Sequence, residues 1–270
     1  DWTIPRMGTA VIQIDIDPSE LGRSYPNTVS LLGDAKATLR RMLERITEKQ
    51  SNDAWTGRAR QLLGDWQKEM EPFCRSDAQP IRTERLCREI SDAFPADGIL
   101  VSDTGFAGIW TGAMVNYSRP GASYIRAAGS LGWAFPAAIG AKCGAPHRPV
   151  VCFIGDGGFY YHLTELETAS RWGINVVTVV NNNQVLRQCV DGINQAYGDR
   201  PGNRDEQYKF QKTDFAKLAE DMGCVGIRVE KPGQIAEAFK RALGVNRPVV
   251  IDVVTDPACR APGPWTPPIL

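Results

Sequence analysis

The sequence predicts an α/β protein built on a doubly wound parallel sheet with helices on both faces. Two observations carry this. Short apolar runs rich in Val and Ile recur at 99–102, 123–125, 150–154, 176–180, 226–229 and 249–253, and amphipathic or small-residue segments separate most of them, near 83–94, 132–143, 163–172, 214–222 and 233–243. Strands covered on both faces read as continuous apolar runs, and parallel neighbours need crossovers long enough to hold a helix. In such sheets ligands gather outside the carboxyl ends of the strands, so the informative loops are expected after Ile154 and Val180.

Composition narrows the class. The 270 residues, 43% hydrophobic and 23% charged, suffice for a buried core and for one large domain or two smaller ones. Basic and acidic residues number 31 each and are intermixed, which argues against nucleic acid or an anionic membrane surface as partner. No apolar run nears the ~20 residues of a membrane span. Seven cysteines (Cys74, Cys87, Cys143, Cys152, Cys189, Cys224, Cys259) form no Cys-x-x-Cys pair, and two histidines cannot complete a usual zinc set around them. A reduced, cytoplasmic setting is expected. The opening Asp1-Trp2-Thr3-Ile4-Pro5 has neither the charged nor the apolar region of a signal peptide, and the expectation is that the chain begins mid-protein.

Four segments are expected along the chain. Residues 11–17 alternate apolar and acidic from Ile12 and break at Pro18, as a half-buried strand does. Asp34 then caps a helix to about Ile46, with Leu39, Met42, Leu43 and Ile46 on one face. One strand and one helix cannot form a core, so 1–50 is expected to be the C-terminal tail of another domain. Residues 51–78, polar with scattered tryptophans, read as a linker; 79–255 is the main domain, and the proline-rich 256–270 an extended tail.

After the run at 150–154 comes Gly155-Asp156-Gly157-Gly158. Glycines let a backbone approach a ligand and aim N–H groups at phosphate oxygens, though a lone motif of this kind is more often a plain tight turn. The next apolar run ends in Asn181-Asn182-Asn183-Gln184, a second oxygen-rich turn at the same sheet edge. A carboxylate, an amide oxygen, a backbone carbonyl, two phosphate oxygens and water make the octahedral oxygen shell Mg2+ prefers.

Gly-Asp-Gly, then about 27 residues, then Asn-Asn resembles the thiamine diphosphate motif of the acetolactate synthase and pyruvate decarboxylase superfamily. Leu163-Thr164-Glu165-Leu166-Glu167-Thr168-Ala169 and Trp172-Gly173 resemble that family's intervening helix and turn; residues 8–46 are similar to the end of its middle domain and 79–255 to its diphosphate-binding domain. Carried over by position, the resemblance implies Asp156, Asn183 and the Val185 carbonyl as Mg2+ ligands, with Asn182 as the alternative amide and Asn181 a turn cap. Gly155, Gly157 and Gly158 would cradle the diphosphate through the backbone, with glycine at 158 where the family commonly has serine. Gly129, Ser130 and Leu131 resemble the segment that bends the cofactor, Leu131 lying beneath it; the plain reading is a glycine-rich helix start with Leu131 in the core. Asp103, Thr104 and Gly105 fall where the family contacts the diphosphate, although Asp103 or Thr104 can equally end a strand.

Two departures count against a narrow enzyme name. Acetolactate synthases carry Gln-His-Gln where this chain has Phe106-Ala107-Gly108, and a channel tryptophan near the place of Gly192. His162 and Glu165 read as surface or supporting residues and His147 as solvated.

The resemblance thus implies the Mg2+/thiamine diphosphate-binding part of a transferase or lyase that decarboxylates a 2-oxo acid such as pyruvate and ligates the product to a second carbonyl. A non-ligating decarboxylase or C–C lyase, or a non-catalytic cofactor-binding subunit, remains as an alternative. No catalytic acid or base is expected among these residues. In the family the activating glutamate belongs to an N-terminal pyrimidine-binding domain, usually across a homodimer or homotetramer interface. The resemblance also leaves FAD open as a further cofactor, held by some relatives in the middle domain.

Overall fold

The computed structural model describes residues 5–47, 51–127 and 129–264, in two compact units, Asp1–Arg60 and Gln61–Leu270.

In the first unit, β1 (Ile12–Asp15) pairs in parallel with β2 (Val29–Leu32), and α1 (Ala35–Arg45) follows. Asp34 caps α1 as expected, its side chain accepting from the Ala37 N–H at 2.8 Å. The sequence did not mark β2, which is only four residues long between Pro26 and Gly33. Ile16, Leu32, Leu39, Leu43 and Ile46 are exposed within the described residues.

Residues 51–78, expected as a linker, are a helix for most of their length: α2 spans Asp53–Cys74, and the division between the units falls inside it. Leu62, Trp66, Met70 and Cys74 recur every fourth residue and form its less exposed face. Gly57, Gly64 and Pro72, all poor helix formers, conceal that period in the sequence.

The second unit is the expected doubly wound sheet. Its strands are β3 (Ile99–Ser102), β4 (Ser123–Arg126), β5 (Val150–Gly155), β6 (Val177–Asn182), β7 (Val225–Val229) and β8 (Val249–Val254), all parallel, in the order β4-β3-β5-β6-β8-β7. Around it run α3 (Thr83–Ala93), α4 (Phe106–Met114), α5 (Ala134–Gly144), the single turn α6 (Asp156–Phe159), α7 (Glu165–Trp172), α8 (Arg187–Tyr197), α9 (Phe215–Asp221) and α10 (Ile235–Gly244). Alternate strand residues feed two cores. Leu100, Val151, Val179 and Ile251 pack with α3, α4 and α10 on one face; Val101, Cys152, Val180 and Val250 pack with α5, α7 and α9 on the other. The connection after β3 leads outward to β4, and the next returns to β5 on the other side of β3, so the crevice at a topological switch point opens at the ends of β3 and β5.

Two further helices, α4 and α8, went unmarked in the sequence. The α4 segment, Phe106-Ala107-Gly108-Ile109-Trp110-Thr111-Gly112-Ala113-Met114, is apolar or small all round, so it has no polar face to set a period; α8 buries no residue fully. The helix expected near His162 begins instead as one turn at Asp156 and resumes at Glu165. Strand β6 runs two residues past the expected Val180, so Asn181 is a ladder residue opposite Gly155 and not a turn cap. Within 256–264 there is no helix or strand, yet Cys259 is buried in the core; 265–270 lie outside the described residues. Among the described residues no helix is long and apolar enough to cross a membrane.

Candidate functional site

A cavity of about 410 Å³ opens where β3, β5 and β6 end. Its wall brings together Asp103, Thr104, Gly105, Gly129, Leu131, Gly155, Asp156, Gly157, Gly158, Asn183 and Val185. Of the candidate residues, Ser130, which is exposed, and Asn182, the alternative amide, lie off this wall.

Asp156 follows the last residue of β5 and is 3% exposed. One carboxylate oxygen accepts the Gly157 N–H at 2.7 Å, and the other accepts the Gln184 N–H from the turn after β6. The side chain therefore ties the two turns to each other. Burial, helped by the nearby Asp252 charge, pushes its pKa up to about 7 against the pull of the backbone N–H bonds from Gly157, Gln184 and Asn183. Gln184 adopts φ +61°, a left-handed conformation uncommon outside glycine, and this bend redirects the chain into Val185.

The three asparagines separate by the pleat. Asn183 faces the cavity, with its amide oxygen 3.2 Å from the Val185 N–H it accepts. Asn182 is held elsewhere: its amide donates to Asp252 at 2.9 Å and to the Thr213 carbonyl at 3.0 Å. Asp252, fully buried, also accepts from the Phe215 N–H at 2.8 Å and from Arg228. Asn181 lines the cavity and accepts from Thr83 Oγ1 at 3.4 Å. Asp156, Asn183 and Val185 thus stand on one wall, and a carboxylate, an amide oxygen and a backbone carbonyl are oxygen donors of the kind that suits a hard divalent cation.

Asp103, at the end of β3, accepts the Gly132 N–H at 2.9 Å and the Ala134 N–H at 3.3 Å, which pins the 129–134 segment to the sheet. Burial raises its pKa, and these N–H bonds oppose the rise. A carboxylate so engaged holds this part of the wall in place. The same carboxylate accounts for glycine at 158, because a Cβ there would collide with Asp103 Oδ2. A Cβ at Gly157 would lie 2.5 Å from Leu186 Cδ2, so both glycines sit where a side chain would crowd the wall. Leu131 is partly exposed on the cavity wall and belongs to neither core cluster. His162 and Glu165 lie off this wall, and His147 is exposed in its loop.

The sequence did not single out Leu186, Arg187, Gln188 and Cys189 as wall residues. They open α8, and their side chains carry no motif. Only their place directly after the asparagine turn pointed toward them.

Comparison with known proteins agrees with this geometry. The family model "Thiamine pyrophosphate enzyme, C-terminal TPP binding domain" matches residues 103–253. A probable acetolactate synthase large subunit of Methanocaldococcus jannaschii is 32% identical over 92% of this chain and 42% of its own length. The putative thiamine pyrophosphate-containing protein YdaP of Bacillus subtilis is 29% identical over 96% of this chain and 44% of its own length. Glyoxylate carboligase of Escherichia coli O157:H7 is 29% identical over 92% and 44%. The chain spans less than half the length of these relatives.

If Gly158 and the Asp103 carboxylate compete for one space, Gly158→Ser should destabilise the protein by about 1–3 kcal/mol in urea denaturation. Adding Asp103→Ala should make the combined loss smaller than the sum of the two single losses. Simple additivity would show that the two side chains do not compete.

Proposed function

This chain belongs to the thiamine pyrophosphate enzymes, as their C-terminal cofactor-binding domain, and from that premise we propose that it is the Mg2+ and diphosphate-binding part of an acetolactate synthase-like carboligase. The observation that carries the metal and diphosphate assignment is the pairing of the 155–158 and 181–185 turns around Asp156 on one cavity. The oxygen donors fit the group, as do the two glycines, where a Cβ would collide with the wall residues Leu186 and Asp103. Carboligation itself draws support from the names of the relatives, two of them an acetolactate synthase and a glyoxylate carboligase.

Thiamine diphosphate, when bound, supplies a nucleophilic carbon and an electron sink for breaking and making bonds beside a carbonyl. This chain's residues bind and position. Asp156, Asn183 and the Val185 carbonyl would hold Mg2+, and the metal would hold the diphosphate against the backbone at 155–158. Leu131 offers an apolar surface for the rings. Asp103 holds the segment that carries Leu131. Activation of the cofactor, the 2-oxo acid substrate and the homo-oligomeric, multidomain setting belong to the whole protein and form part of this proposal.

Because a buried Asp156 titrates near 7, a metal ion must displace its proton at lower pH. The sign follows from the raised pKa: the folded, metal-free site favours the protonated carboxyl, and binding a cation favours the ionised one. Calorimetry of Mg2+-dependent thiamine diphosphate binding should therefore show affinity falling by up to about tenfold per pH unit below about 7 and levelling above it. Asp156→Ala should abolish the Mg2+-dependent component at every pH, and unchanged affinity in that variant would remove Asp156 from the metal.

Product analysis tests the reaction. The whole protein, given pyruvate, Mg2+ and thiamine diphosphate, should release CO2 and yield an acyloin-type ligation product. Acetaldehyde alone would identify a simple decarboxylase. No CO2 from any 2-oxo acid would exclude both.

A further inference from the structure

Arg187 is the first residue of α8, two beyond Val185, and lines the cavity with only 10% of its side chain exposed. Its Nη1 is enclosed and donates no hydrogen bond. Its one ion-pair partner among the described residues is Asp191, whose Oδ1 lies 3.6 Å away and is already bonded to Arg260 at 2.8 Å. Buried guanidinium nitrogens nearly always have acceptors. Neither carboxylate on the wall accepts from its side chain: Asp103 is bonded to the N–H groups of Gly132 and Ala134, and Asp156 to those of Gly157 and Gln184.

The charge on the wall points the same way. Among the described lining residues Arg187 is the one cation, on a wall that also carries Asp103 and Asp156. A divalent ion shared with Asp156 leaves a diphosphate incompletely neutralised, and a planar guanidinium meets phosphate oxygens with two parallel N–H donors. The backbone fixes where that meeting occurs. The Arg187 N–H donates to the Val185 carbonyl at 2.9 Å, so the residue is anchored beside the carbonyl assigned to the metal.

We propose that Arg187 is a diphosphate-binding residue of this chain, a guanidinium beside the metal that engages the cofactor's phosphate oxygens. The proposal rests on the thiamine diphosphate reading of the cavity. A substrate carboxylate presents the same oxyanion chemistry, and the experiment separates the two.

Binding of thiamine diphosphate, thiamine monophosphate and thiamine to the whole protein, with saturating Mg2+, is followed by calorimetry for wild type, Arg187→Ala and Arg187→Lys. Arg187→Ala should weaken thiamine diphosphate roughly 10- to 100-fold while changing thiamine less than about threefold. Arg187→Lys should recover part of the loss, because it keeps the charge without the fork, and it guards against a folding defect in the alanine variant. Equal weakening toward all three ligands would mark a structural role and overturn the proposal. Unchanged thiamine diphosphate affinity would overturn it as well; if KM for the 2-oxo acid rises at the same time, Arg187 belongs to the substrate carboxylate. Failure of the wild type to bind thiamine diphosphate would remove the cofactor reading first, and this proposal with it.

Discussion

Both oxygens of the Asp156 carboxylate accept backbone N–H groups, one from the turn after β5 and one from the turn after β6. Everything else at the cavity is arranged around that bridge. β5 and β6 are hydrogen-bonded neighbours with Gly155 opposite Asn181, so the two turns leave the sheet side by side and a short side chain can span them. The bridge is costly to bury, and that burial is the main cause of its raised pKa. A cation at the same point would take over the role the N–H groups now share, which is why a residue with this environment reads as a ligand and not as a turn cap.

The sheet order explains why a third element reaches the site. At the switch point the chain leaves β3 in one direction and returns to β5 in the other, so no crossover covers the crevice between their ends. Asp103 fills the inner end of that crevice and fastens the 129–134 segment. The carboxylate leaves no room for a side chain at 158. Glycine there is therefore a packing requirement of this chain as much as a feature of a phosphate cradle. On the far side, Asp252 performs a comparable service by holding Asn182 away from the cavity, which leaves Asn183 as the asparagine beside Val185 that faces inward.

Much of this was legible in the sequence because it depends on period and spacing. The six strands of the main sheet are apolar runs, and the turns that end β5 and β6 were readable residue by residue. What escaped reading depends on contacts between distant segments. The helical α2 hid behind two glycines and a proline, α4 lacked a polar face, and β2 needed its partner β1 to be recognisable. The extension of β6 through Asn181 and Asn182 follows from pairing with β8, opposite Val253 and Val254, which no local propensity of asparagine suggests. Arg187 looked like one more charged residue; only the folded chain shows its nitrogen enclosed and without an acceptor.

The central claim is that Asp156, Asn183 and the Val185 carbonyl are ligands of one divalent cation. Crystals of the whole protein grown with thiamine diphosphate and Mn2+ in place of Mg2+ would locate the ion directly by anomalous diffraction. A single peak within about 2.0–2.4 Å of an Asp156 carboxylate oxygen, the Asn183 amide oxygen and the Val185 carbonyl oxygen is the predicted result. A peak held by other residues, with Asp156 still bonded to the Gly157 and Gln184 N–H groups, would contradict it.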